Sequence, residues 1–93
     1  MTQEEIEQSF VDAGWEMYHS SERLLAGGFG DLSILAYGVS IGADDPVFEI
    51  VDRERVVTYW VRVIPSPHVA AVLLREHGGP PEKGRGKPVL QTG

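Results

Sequence analysis

Residues 56–64 read VVTYWVRVI. Six of these nine residues are β-branched and two are aromatic, the composition of a strand. Side chains alternate across a strand, so Val57, Tyr59, Val61 and Val63 share one side. That side is wholly apolar apart from one hydroxyl and is predicted to face the core. Val56, Thr58, Trp60, Arg62 and Ile64 share the other side. It is mixed, with a large aromatic at its centre.

The flanking sequence extends the pattern. Residues 47–52, VFEIVD, form a second predicted strand, with Phe48 and Ile50 inward and Val47, Glu49 and Val51 outward. Asp52-Arg53-Glu54-Arg55 is a tight polar connection between the two. Upstream, residues 32–41, LSILAYGVSI, read as another strand, followed by the turn residues Gly42-Ala43-Asp44-Asp45-Pro46. Its inward side is open: Leu35, Tyr37, Val39 and Ile41 compete with Leu32, Ile34 and Ala36. Connections this short predict an antiparallel meander.

Two helices flank these strands. Residues 2–26 read as one long helix. Thr2 with Glu5 is a capping-box pattern, and Ile6, Phe10, Ala13, Met17 and Leu24 recur at helical spacing. Gly27-Gly28 is the expected stop, and Gly14 marks either a close neighbouring strand or a break. Ser66 and Pro67 suit the first positions of a second helix, with Val69, Val72 and Leu73 at helical spacing and Gly78-Gly79 ending it. The predicted fold class is α+β, in the order α-β-β-β-α, with a three-stranded antiparallel meander and both helices on one face. Residues 1–79 form the expected single domain. Residues 80–93, PPEKGRGKPVLQTG, read as a flexible basic tail rich in Pro and Gly.

Composition narrows the function. The chain has 93 residues, no cysteine and a formal charge of -6. Without thiols there is no disulfide scaffold, thiolate zinc site, iron–sulfur cluster or cysteine nucleophile. The acidic start MTQEEIEQ lacks the apolar stretch of a signal peptide. The longest apolar run, residues 69–74, falls far short of the ~20 residues of a membrane span. A cytoplasmic protein with no membrane partner is expected. Residues 1–79 hold 13 acids against 5 arginines, whereas residues 80–93 set Lys83, Arg85 and Lys87 against Glu82. Such a body repels nucleic acid and attracts basic protein surfaces.

No constellation of catalytic or metal-binding residues emerges. His19, His68 and His77 lack the spacing of convergent zinc ligands, and Asp44-Asp45 lacks the loop spacing of a calcium site. His19, Ser20 and Ser21 are adjacent, where side chains on a helix do not face one another. Gly27 to Gly30 follow a predicted helix and precede a strand, the reverse of a phosphate-binding loop. The order α-β-β-β-α is also that of double-stranded-RNA-binding domains. However, the second helix here opens Pro67-His68-Val69-Ala70-Ala71, without the cations that meet phosphates. No catalytic residue, metal or cofactor is assigned.

What remains is surface. Trp60, Arg62, Thr58, Val47, Glu49 and Val56 make an outward sheet patch too apolar for plain exposure to solvent, unless the tail, a helix or a loop covers it. On the long predicted helix, Trp15 lies opposite the core stripe, with Val11 and Tyr18 beside it. Both indoles are expected to point outward. The alternative for Trp15 is packing under the Gly27–Asp31 loop or against the second helix. The expected function is a non-catalytic, small acidic protein-interaction module of adaptor, regulator or inhibitor type. It would bind a protein partner, with a second copy of itself among the candidates. The alternative is a small-molecule-binding protein or accessory enzyme subunit. Its pocket would lie at a dimer interface around Arg62 and Trp60, with Tyr37 and His19.

Overall fold

The computed structural model describes residues 2–44 and 46–78. Helix α1 (Gln3–Ala13) opens with the predicted capping box. The Glu5 N–H donates to the Thr2 hydroxyl at 3.2 Å, and the Thr2 N–H donates to Glu5 Oε1 at 2.9 Å. Two of the donors that every helix start leaves open are thus satisfied. The helix ends at Ala13, not at residue 26. Gly14 takes a left-handed conformation (φ 108), and its N–H closes on the carbonyls of Phe10 and Val11. A residue without Cβ turns the chain there at no steric cost. The break reading of Gly14 is therefore the correct one.

Residues 15–26, predicted helical, and the Gly27-Gly28 stop instead fall in and around two strands, β1 (Glu16–Ser20) and β2 (Leu24–Phe29). They are followed by β3 (Leu32–Tyr37), the single-turn helix α2 (Gly38–Ile41), β4 (Phe48–Asp52) and β5 (Val57–Val61). The five strands form one antiparallel meander in the order β1-β2-β3-β4-β5. The predicted strands over 32–41, 47–52 and 56–64 are present in shortened form. The helical spacing of Met17 and Leu24 was misleading, because a handful of apolar positions fits either period.

The Gly27-Gly28 pair, expected to stop a helix, lies inside β2. A Cβ on Gly27 would meet the Trp15 Cβ at 3.3 Å and the Glu16 carbonyl at 3.2 Å. A Cβ on Gly28 would collide with the Tyr18 ring. One glycine makes room for an indole stem and the other for a phenol.

Register fixes the two sheet faces. Ile34 pairs with Ile50 and Ile50 with Tyr59, while Phe48 pairs with Val61 and Leu25 with Ala36. These buried residues meet Ile6 and Phe10 of α1, and Ala70 and Leu74 of α3 (Pro67–His77), in one core. Phe10 and Phe48 pack edge to face, 6.0 Å between centroids. Both helices therefore cover the same side of the sheet. On β3 the inward set is Ile34 and Ala36, which resolves the ambiguity left by the sequence.

The start of α3 is as predicted, with the Ser66 hydroxyl accepting the Val69 N–H at 3.3 Å and Pro67 in the first turn. Its buried stripe is Pro67, Ala70 and Leu74, whereas Val69 and Val72 are exposed. Gly78 closes the helix, its N–H bonded to the Leu74 carbonyl. The alternation on β5 holds for Tyr59 and Val61 but stops with the strand. Val63 is exposed and Ile64 packs against the core, the reverse of the prediction. Once the chain leaves the sheet at Val61, the period of two no longer governs direction. Gly79 and the predicted tail at 80–93 lie outside the described residues. Among the described residues, no helix is long and apolar enough to cross a membrane.

Candidate functional site

The side of the sheet away from α1 and α3 carries the candidate site. Its central row runs Ala26, Leu35, Glu49, Trp60 across β2 to β5, as the pairings dictate. The adjacent row runs Glu16, Gly28, Ser33, Val51, Thr58. Tyr37 pairs with Leu24 one step further along. Trp60, Leu35, Val51 and Leu24 are each partly buried, and Tyr37 is exposed.

A bulge in β1 adds a further aromatic. The register shifts between Met17 and His19, leaving Tyr18 as the extra residue. Its ring lies over Gly28, on this same face, while the side chain remains 55% exposed. Three aromatic rings, from Tyr18, Tyr37 and Trp60, thus share one surface with Leu24, Leu35 and Val51.

Glu49 lies between Leu35 and Trp60 and accepts a 3.3 Å hydrogen bond from the Tyr37 hydroxyl. Burial, and then the nearby Glu49 carboxylate, push the Tyr37 phenol above its ordinary pKa. The hydroxyl donates to the carboxylate, and Glu49 is held across the face.

The β4–β5 turn borders this face. Asp52 Oδ1 accepts the N–H groups of Glu54 at 3.0 Å and Arg55 at 3.1 Å, and Oδ2 accepts Arg55 Nε at 2.7 Å. The Arg55 side-chain bond, reinforced by its backbone N–H, holds the Asp52 carboxyl below the usual range. Arg53 ties this turn to the β2–β3 turn through the carbonyls of Gly30 and Asp31. Val56 closes the turn in a left-handed conformation, φ 56, with its side chain 60% exposed. A β-branched residue rarely adopts that geometry.

The predicted site residues separate into two groups. Trp60 and Glu49 do share the outer face, with Val47 just before β4 and Arg62 just after β5. Arg62 is partly buried and already engaged within the chain. Thr58 belongs to the same face but is only 6% exposed, so it offers little area. Val56 is available, though on the turn and not on the strand. Val11 is exposed on α1, across the molecule from Trp60.

Trp15 overturns the expectation of two outward indoles. It is 3% exposed, part of the core, and its Nε1–H donates to the Pro65 carbonyl at 2.7 Å. With the helix ending at Ala13, the helical wheel that turned Trp15 outward does not apply. Tyr18 and Leu24 escape the sequence reading for the related reason that the helix is predicted through residue 26, and Leu35 because the inward side of its strand is left open. The Gly-Gly pair within an apolar stretch was the available signal.

The histidines stand apart. His19 Nε2 lies 3.2 Å from the Ser21 hydroxyl, His68 packs against Phe29, and His77 stacks on Tyr59. Among the described residues, no three His, Asp or Glu side chains are grouped to hold a metal ion. Comparison with protein-family models, with curated proteins and with solved structures returns no match.

Proposed function

We propose that this chain is a non-catalytic protein-binding module that docks a partner on its outer sheet face, with Trp60 as the anchor. The supporting observation is the face itself. Tyr18, Leu24, Leu35, Tyr37, Val51 and Trp60 lie opposite both long helices, with Glu49 in their midst. Tyrosine and tryptophan supply large contact area with few rotatable bonds and dominate interface energetics. A held carboxylate among them gives a partner one charged group to match. The partner class favoured by charge is a basic protein surface, because the body carries a large excess of acid.

The test is parallel affinity capture with the wild type, Trp60→Ala, Leu35→Glu and the helix-side control Val11→Ala. A protein retained by the wild type and the control but lost from both face variants supports the reading. Identical captures from all four, with circular dichroism confirming folding, reject it.

A further inference from the structure

The two edges of the sheet are treated differently. Strand β1 forms one edge, and it is guarded. It carries a bulge, and its side chains include Glu16, His19 and Ser20. The Ser20 hydroxyl is tied to α1, accepting from Gln3 Nε2 at 3.1 Å and donating to Glu7 at 2.7 Å. Bulges, charges and a covering helix are the devices by which sheets avoid pairing with other strands.

Strand β5 forms the other edge; α3 packs on its inner face as α1 does on β1, but β5 has neither the bulge nor the charges. Its sequence is Val57-Thr58-Tyr59-Trp60-Val61, with no charge, no proline and no bulge against β4. The chain has no lysine, the usual edge guard, before position 83. Among the described residues β5 pairs with β4 alone, so alternate N–H and C=O groups point away from the sheet. Val56, just before the strand, and Val63, beyond Arg62 after it, are exposed by 60% and 52%.

We infer that β5 pairs antiparallel with β5 of a second copy of this chain, joining two five-stranded sheets into one of ten strands. The strand is self-complementary. With Tyr59 on the two-fold axis, Val57 meets Val61 of the other copy and Thr58 meets Trp60. No like charges are opposed, which matters for an acidic chain. The left-handed backbone at Val56 is accounted for as well: it holds an apolar side chain at the end of the seam, where glycine would offer none. The pairing does not depend on the partner-docking reading. It would set two outer faces side by side.

Sedimentation velocity across a concentration series, combined with residue-resolved amide exchange, tests the inference. The expected mass is twice that of the chain. On dilution to monomer, outward-pointing β5 amides should exchange at least tenfold faster while those of β3 are unchanged. The double variant Val56→Lys/Val63→Lys should weaken the dimer at least tenfold. Val63→Lys alone serves as a second variant outside the strained turn. Leu35→Glu, two strands from the seam, should leave the dimer intact, so the docking reading and this one fail separately. A monomer at millimolar concentration, or a dimer whose β5 amides exchange no more slowly than in the monomer, overturns the inference.

Discussion

The Trp15 indole N–H donates to the Pro65 carbonyl at 2.7 Å, across 50 positions of sequence. One residue immediately precedes β1 and the other lies between β5 and α3. The bond therefore links the entry to the sheet with the exit from it, inside the core. Trp15→Phe keeps most of the apolar volume and leaves a buried carbonyl unpaired, at a cost of about 1–3 kcal/mol. Trp15→Ala adds a cavity and should cost about 3–5 kcal/mol. Urea unfolding measures both, and capture by the outer face should survive Trp15→Phe.

Val56 should be replaceable to advantage. A non-glycine residue in the left-handed region carries roughly 1–2 kcal/mol of strain, partly offset by the greater unfolded-state freedom of glycine. Val56→Gly is thus expected to raise stability by up to about 1 kcal/mol, whereas Val57→Gly, one residue on and within β5, should lower it. Thermal melts distinguish the two. If the seam at β5 forms, Val56→Gly should also weaken the dimer while stabilising the monomer.

Asp52 makes stability depend on acid. Its folded pKa lies below the ordinary carboxylate value because the ionised form accepts from Arg55 and from two backbone N–H groups. The unfolded state then binds the proton more tightly. The contribution is fully present above about pH 4, the unfolded pKa, and is lost as pH falls through the lower folded value. Asp52→Asn should be less stable than wild type at pH 6. The gap between their urea midpoints should narrow as pH falls below 4.

The paired glycines of β2 should respond unequally to alanine. At Gly27 the new methyl meets the Glu16 backbone and the buried Trp15, neither of which gives way easily. A cost of about 1–3 kcal/mol follows. At Gly28 the nearest atoms it meets are the far end of the Tyr18 ring, a half-exposed side chain that can rotate aside. Gly28→Ala should cost less in stability than Gly27→Ala, and should shift the Tyr18 ring resonances and weaken docking on the outer face.

The second half of the chain was legible because several signals agreed there. Val57 to Val61 combine β-forming residues with clean alternation, and Ser66-Pro67 states where α3 starts. In the first half they conflicted. Ile6 and Phe10 set a true helical period, and Met17 and Leu24 prolong it by coincidence, so the break signalled by Gly14 competes with an apparent continuation of the helix. That one conflict concealed two strands, buried the wrong expectation for Trp15, and hid Tyr18 from the candidate site. On the outer face, Trp60 and Glu49 were accessible to reasoning because their strand was correctly read. The β1 bulge was not, since it exists only relative to a partner strand.

The chain contains only two indoles: Trp15 is sealed in the core, and Trp60 is partly exposed on the outer face. This gives the protein a pair of built-in optical probes. Trp15, shielded and bonded, should resist acrylamide until the molecule unfolds. Trp60 should be quenched in the free protein and shielded when its surface is occupied, so one spectrum can follow folding and docking as separate events.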